Sequence, residues 1–204
     1  MLFDDTYRTI ENPSEGIFRD RGSKFLAYTY PINSESEIKG IVASLKSEHP
    51  KANHHCWAMR LTIDRSVFKL NDDGEPSGTA GRPILNTLLS KDLTNILIVV
   101  VRYFGGTLLG VPGLINAYKM ATEEALTHAA IIEKTVNDVY TISFGYLQMN
   151  DIMRLIKDSH LLILNQQFDN DCTIQVSIRK MQVNTVLDKL HKVTGITVKY
   201  DHSM

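Results

Sequence analysis

Cysteine is scarce in this chain: only Cys56 and Cys172 occur among its 204 residues, and they lie in different halves. The absence of any Cys-x-x-Cys pair excludes a zinc ribbon, and two distant cysteines do not make a disulfide-rich secreted scaffold. We therefore expect both residues to be free thiols in a reducing compartment.

Long apolar runs are also absent. The longest, at residues 96–101, is far shorter than the roughly 20 residues that a membrane-spanning helix needs. The N-terminal stretch MLFDDTYRTIENP has neither a basic head nor an apolar segment, so we expect no signal peptide. Together these features predict a protein with no membrane contact and a cytoplasmic location.

Neither charge sign is in excess. Lys and Arg number 22, Asp and Glu number 23, and the formal net charge is −1. The residues up to 132 carry 14 basic and 15 acidic side chains, and the remainder carry 8 of each. Neither half is therefore a basic nucleic-acid-binding module, and any contact with RNA must come from a local patch.

The apolar pattern predicts two domains. In the first, residues 25–31 and 54–63 have the pattern of strands, and residues 95–104 are typical of a strand buried on both faces. From residue 132 onward the pattern predicts the order βαββαβ, with a hairpin turn at 169–171. We place the domains at residues 1–131 and 132–204.

Two glycine-rich loops carry the candidate site. The first, NDDGEPSGTAGRP, spans residues 71–83, and the second, GGTLLGVPG, spans residues 105–113. We expect helices to follow them, beginning at Pro83 and Leu114, and amides at a helix N-terminus can bind an anion. Arg82 and Arg102 could each offer a planar guanidinium to a phosphate. The predicted anion-binding or RNA-binding residues are Gly78, Thr79, Gly81, Arg82, Arg102, Gly105 and Gly106.

Other interpretations of these loops stay open. The glycines could simply permit tight turns, and neither loop contains a P-loop or a dinucleotide-binding fingerprint. Tyr103 and Phe104, at the end of the buried strand, could stack on a base or fill the core.

The acidic residues of the first loop support several hypotheses. Asp72, Asp73 and Glu75, together with His54, are predicted to form a contact surface for a partner. They could instead hold Mg²⁺ with His54 as a base, in an enzyme acting on a nucleotide or another phosphorylated small molecule. Alternatively, Asp72 and Asp73 could cap turn amides while Glu75 or Asp73 pairs with Arg82 or Arg102. We predict no catalytic residue, no bound metal and no cofactor.

Several motifs resemble the YigZ/IMPACT family in sequence, order and spacing. They are RGSKF at 21–25, KANHHCWA at 51–58, DDGEPSGTAGRP at 72–83 and RYFGG at 102–106. Residues 1–131 resemble the IMPACT N-terminal domain, and the rest resembles the small domain of bacterial YigZ-type proteins. The resemblance implies an α+β fold, with an N-terminal ribosomal-protein-like (second-domain type) α/β sandwich. It also implies a C-terminal ferredoxin-like βαββαβ domain similar to the last domain of elongation factor G.

The resemblance also implies a function in translation, because eukaryotic members restrain a translation-control kinase by competing for its activator. We therefore expect the ribosome, RNA or a translation factor as partner, and a protein-interaction module without nucleic-acid contact is an alternative. The chain departs from the family at Val111, Pro112 and Asn116, which replace a hydroxyl residue, a glycine and an arginine. These replacements predict weaker anion binding at the second loop.

Overall fold

The computed structural model describes residues 5–169 and 172–203, which belong to two compact units. The N-terminal unit is Tyr7–Lys134, and the C-terminal unit contains the residues from Thr135 onward together with Asp5 and Thr6. The sequence had placed the division at 131/132 and the whole N-terminus in the first domain. The difference arises because the Asp5 carboxylate accepts hydrogen bonds from the Arg179 guanidinium at 2.7 and 2.9 Å, and the Asp5 carbonyl accepts one from the Val136 amide.

The N-terminal unit is built on an antiparallel sheet of five strands in the order β2-β3-β6-β4-β5. Helix α1 covers one face, and helices α2 and α3 cover the other. A separate pair of strands joins β1 to β7. The elements are β1 (Thr6–Ile10), β2 (Ser14–Asp20), β3 (Ser23–Pro31), α1 (Ser36–Glu48), β4 (His54–Leu61), β5 (Val67–Asn71), α2 (Gly81–Ser90), β6 (Ile96–Tyr103), α3 (Gly110–Thr127) and β7 (Ile131–Thr135).

Strand β6 lies at the centre of this sheet and is buried on both faces, which confirms the prediction from its continuous apolar run. Ile96, Ile98 and Val100 pack in the layer with α2 and α3, whereas Leu97, Val99 and Val101 pack in the layer with α1. Successive side chains of a strand point to opposite faces, so one short run fills two cores.

Both helices that follow the glycine-rich loops begin earlier than expected. Helix α2 begins at Gly81 and α3 at Gly110, so Pro83 and Pro112 each lie in a first helical turn. Proline is tolerated there because the first turn leaves its backbone N–H groups without a partner inside the helix. The stretch Gly110–Gly113, assigned to a loop from the sequence, is therefore the start of α3.

The C-terminal unit is an antiparallel sheet of four strands in the order β11-β8-β10-β9. Its core is formed with α4 and α5, through residues such as Ile152 and Leu190. The order along the chain is βαββαβ, as expected; of the predicted turn at 169–171, Asn170 and Asp171 lie outside the described residues. The elements are β8 (Asn137–Phe144), α4 (Met149–Asp158), β9 (Leu162–Phe168), β10 (Cys172–Arg179), α5 (Val183–Leu190) and β11 (Ile196–Ser203).

The whole molecule is thus a mixed α+β protein with several sheets, as expected for its fold class. Over the described residues, none of the helices has the length and apolar character needed to cross a bilayer.

Candidate functional site

The first glycine-rich loop is organised around the carboxylate of Asp72. Its Oδ1 accepts hydrogen bonds from the amides of Ala80 and Gly81 at 3.0 and 2.8 Å, and its Oδ2 accepts one from the amide of Gly78 at 2.9 Å. These amides lie at and just before the N-terminus of α2, where a negative charge is favourable. The sequence suggested that Gly78 and Gly81 would present their amides to an external anion. The structure corrects this, because an internal carboxylate already occupies the position.

Thr79 also points into the loop rather than outward. Its hydroxyl donates to the carbonyl of Pro76 at 2.6 Å, its amide donates to the same carbonyl at 3.0 Å, and the residue is buried. Gly78 has φ +77°, in the left-handed region where a glycine is favoured. The loop is therefore a rigid turn stabilised by its own hydrogen bonds.

A buried polar network lies beside this loop and is centred on Glu75. Its Oε1 accepts hydrogen bonds from Arg102 Nη1 at 2.5 Å and from the Tyr118 hydroxyl at 2.8 Å. The Cys56 thiol lies 3.3 Å from the Tyr118 oxygen and 2.9 Å from the Asp72 carbonyl oxygen, and both can accept its hydrogen bond. Burial raises the pKa of the Cys56 thiol and of the Tyr118 phenol, so both groups are neutral at physiological pH.

Arg102 is not an exposed cation. Only 6% of its side chain is accessible, and its Cζ lies 5.4 Å from the ring centroid of Phe25 and 5.6 Å from that of Phe104. Its Nε is buried and has no hydrogen-bond partner among the described residues. Glu75 and the two ring faces thus stabilise its charge. This corrects the expectation that Arg102 would offer its guanidinium to a phosphate.

His54 has a defined tautomer when its ring is neutral. Its Nδ1 lies 2.8 Å from the carbonyl oxygen of Asp73, which can only accept, so Nδ1 carries the proton. Nε2 keeps its lone pair and lies 3.9 Å from Glu75 Oε1. The Asp73 carboxylate accepts a hydrogen bond from the His55 amide at 2.7 Å and pairs with Lys46 at 3.2 Å. Asp73 therefore connects the loop to β4 and α1.

An open pocket of about 460 Å³ lies beside the network; we call it the Phe104 pocket. One wall is polar and the other is apolar, and part of the apolar wall is exposed: Phe104 to 44%, Val111 to 52% and Leu108 to 81%. The lining residues are Asn53, His54, Glu75, Pro76, Arg102, Phe104, Leu108, Leu109, Gly110, Val111 and Leu114.

A second depression, of about 410 Å³, lies between α2 and α3; we call it the Arg82 groove. Arg82 is exposed there, in the first turn of α2, and Lys119 lies on α3 with its Nζ 3.8 Å from Glu123. The groove and the Phe104 pocket are lined by residues that are close in sequence. Pro76 and Leu114 line the pocket, and Gly78 and Ile115 line the groove. The lining residues are Gly78, Arg82, Pro83, Asn86, Thr87, Ser90, Ile115, Lys119 and Glu123.

The glycines of the second loop have structural roles: Gly105 allows a close backbone contact, and Gly106 allows a left-handed backbone conformation. A Cβ on Gly105 would lie 2.0 Å from the carbonyl carbon of Gly22, so only glycine fits at this backbone crossing. The amide of Gly105 donates to Ser23 Oγ at 3.1 Å, and Gly106 has φ +85°. Asn53 Oδ1 accepts the amide of Phe104 at 2.9 Å and so positions that ring at the pocket.

The carboxylates of the first loop are all engaged by protein groups. Asp72 binds amides, Asp73 binds an amide and a lysine, and Glu75 binds Arg102 and Tyr118. Between residues 5 and 203, leaving out Asn170 and Asp171, no group of three or more His, Cys, Asp or Glu side chains is arranged to hold a metal ion.

Three residues of the site were missed by the sequence analysis. Tyr118 is buried on α3, and its hydroxyl donates to Glu75, 43 positions away in the sequence. Asn53 and Lys119 carried no distinguishing signal by themselves. Asn53 lies within the motif KANHHCWA, and Lys119 directly follows Tyr118 in the sequence.

Comparison with known proteins places these residues within the range matched by one family model. A family model described as the Impact N-terminal domain matches residues 21–126. The chain is similar to IMPACT family member YigZ of Escherichia coli (strain K12), at 34% identity over 178 residues, 86% of each chain. It is also similar to IMPACT family member YvyE of Bacillus subtilis (strain 168), at 29% identity over 190 residues, 93% of this chain and 88% of the relative.

A solved structure supports the same assignment over nearly the full length. It is described as the crystal structure of a hypothetical protein, and it superposes with a TM-score of 0.72 at 29% identity. The superposition covers 96% of this chain and 97% of that one. Since the family model spans more than half of the chain and the similarity to YigZ extends over most of both sequences, this chain belongs to the IMPACT family.

Proposed function

We propose that this chain is a translation-associated regulatory protein that acts by binding RNA or a ribosomal surface, and not by catalysis. Membership of the IMPACT family supports the link to translation, through the kinase regulation that the resemblance implies for eukaryotic members. A cytoplasmic location follows from that proposal. The proposed contact face is the side of the N-terminal unit that carries the Arg82 groove and the Phe104 pocket.

The observation that carries this proposal is the pair of cations in the Arg82 groove. Arg82 and Lys119 line it together with one carboxylate, Glu123, so the two exposed cations leave a net positive charge beside the loop that Asp72 orders. The chain as a whole is close to neutral, so an RNA contact must rely on such a local pair. Because Arg102 is buried and paired with Glu75, we now assign the anion contact to the exposed Arg82 and Lys119.

The folds that we propose for the two units also support a role in translation, by analogy. A βαββαβ chain with sheet order β11-β8-β10-β9 is the arrangement of a ferredoxin-like domain. We propose this assignment for the C-terminal unit, and a ribosomal-protein-like sandwich for the N-terminal unit. Analogy of fold raises the expectation of a ribosomal partner.

The alternative of a magnesium-dependent enzyme has less support in the geometry. Binding Mg²⁺ at Asp72, Asp73 or Glu75 would require breaking hydrogen bonds that order the loop and the buried network. The protein-interaction alternative retains support from the exposed apolar side chains at the mouth of the Phe104 pocket.

The test is binding to ribosomes and to a single-stranded RNA at low and moderate salt. Arg82→Ala and Lys119→Ala should each weaken co-sedimentation and RNA affinity, and each should reduce the slope of log K against log salt by roughly 1. Lys39→Ala is the matched control, because it removes an exposed cation from α1, on the opposite face of the sheet. Absence of binding to both partners at both salt concentrations would contradict the proposal.

A further inference from the structure

The Phe104 pocket has the features of a site for a flat, neutral, polar-edged ring. Phe104 presents a half-exposed aromatic ring at the end of β6, and Leu108 and Val111 supply aliphatic walls from the following loop and the first turn of α3. The volume of about 460 Å³ falls within the roughly 300–1,000 Å³ of small-ligand sites. Stacking between aromatic and aliphatic side chains is how proteins hold a base that has left its helix.

The polar wall of the pocket is suited to a base edge, not to a phosphate. Arg102 is neutralised by Glu75, so the wall carries no net charge when His54 is neutral. His54 Nε2 can accept a hydrogen bond, since Nδ1 donates to the Asp73 carbonyl. Asn53 can donate through its amide nitrogen, since its Oδ1 accepts from Phe104. The edge of a base offers donors and acceptors together, which matches this pairing.

The neighbouring Arg82 groove provides a place for the backbone of the same strand. Pro76 and Leu114 line the pocket, whereas Gly78 and Ile115, close to them in sequence, line the groove. Arg82 and Lys119 would then contact phosphates next to a base held in the pocket.

We propose that the Phe104 pocket binds one unpaired base of a single-stranded RNA, stacked on Phe104 and hydrogen-bonded to His54 and Asn53. This inference rests on the proposed function and names the chemical group that the contact face recognises. An apolar side chain of a protein partner is the competing occupant. It would leave the hydrogen-bonding groups of His54 and Asn53 without partners, at a cost in free energy.

The first experiment needs no variant. Affinities of the wild-type protein are measured by fluorescence anisotropy for an eight-nucleotide single-stranded RNA and for a strand of equal length made of base-free ribose spacers. Stacking of one base is expected to make the RNA bind about 5- to 100-fold more tightly than the base-free strand. Equal affinities would overturn the base pocket. They would leave the proposed function standing, because that function is tested separately by Arg82→Ala.

The second experiment assigns the effect to the pocket. Phe104→Ala should weaken binding of the RNA by about 5- to 100-fold and leave binding of the base-free strand unchanged. Phe68→Ala is the matched control, because Phe68 is similarly exposed, at 51%, and lies on β5. Thermal melting verifies folding, and the wild-type comparison decides the question if Phe104→Ala does not fold.

Two further outcomes separate this inference from the function on which it rests. If Phe104→Ala keeps full RNA affinity but loses ribosome co-sedimentation, the pocket belongs to a protein side chain and the base proposal is wrong. If the wild-type protein binds neither strand and does not sediment with ribosomes, both the base pocket and the proposed function are wrong.

Discussion

Replacing Asp72 by alanine removes the acceptor of three backbone hydrogen bonds in one step. The amides of Ala80 and Gly81 belong to buried residues and would lose their partner, whereas the amide of Gly78 is partly accessible to water. A buried donor left unpaired costs about 1–3 kcal/mol, and loss of a helix N-cap typically costs about 1 kcal/mol. We therefore expect Asp72→Ala to lower the free energy of unfolding by about 3 kcal/mol, with two donors as the main contribution.

Asp72→Asn separates the hydrogen bonds from the charge. The asparagine oxygen can replace Oδ1 and accept the amides of Ala80 and Gly81, but its NH₂ group cannot accept the amide of Gly78. Loss of one partly exposed hydrogen bond and of the charge at the helix N-terminus should cost about 1 kcal/mol. The order of stability is then wild type, Asn, Ala.

The assay is urea unfolding combined with amide hydrogen exchange. Exchange should accelerate at the amides of Gly78, Ala80 and Gly81 in Asp72→Ala, because these amides lose their acceptor. The control is Asp64→Ala, since Asp64 is exposed and accepts one backbone amide, from Ser66, at 3.2 Å. That variant should cost under about 1 kcal/mol. A cost for Asp72→Ala no larger than that of the control, with unchanged exchange, would refute the internal-anion account of the loop.

Two further predictions concern buried and partly buried ion pairs. Arg102→Ala leaves the Glu75 carboxylate buried without its cation and should lower the free energy of unfolding in urea by about 3–5 kcal/mol. The double variant Glu75→Gln/Arg102→Met should cost less than the sum of its two single changes. Additive costs would contradict the coupling between the two residues. The hydrogen bonds from Arg179 lower the pKa of Asp5, so their stabilisation is present above the unfolded-state value of about 4 and is lost as pH falls through the lower folded-state value. The difference in stability between wild type and Asp5→Asn should therefore shrink in urea titrations as the pH is lowered below about 4; a difference that stays constant would contradict the assignment.

The strands and their buried faces followed from the sequence because backbone geometry is local. The strand pattern of residues 54–63 and the apolar run at 95–104 predicted β4 and a β6 buried on both faces, and the structure confirms both. The helix starts were misplaced by a few residues, because proline and glycine are compatible with a loop as well as with a first helical turn.

The chemistry of the site was only partly predictable. The sequence identified the DDGEPSGTAGRP loop, an amide arrangement suited to an anion, and Glu75 as a possible partner for Arg102. It also gave Asp72 as a cap for turn amides, which the structure confirms, but it did not show that Tyr118 would complete the network. The composition of the loop shows that its carboxylates can bind amides and arginines. It does not show which carboxylate binds which partner, because three carboxylates lie within four residues.

The sequence by itself therefore determined the mixed α+β class, the central strands and the family, since these depend on periodicity and on motifs within short segments. Tertiary structure decided which charges are used inside the protein and which stay available. Glu75 and Arg102 are 27 residues apart and Asp5 and Arg179 are 174 apart, and only the folded chain brings each pair together. Once Arg102 is enclosed by Glu75 and two rings, Arg82 is the exposed cation of the original pair, because burial and pairing are properties of the assembled core.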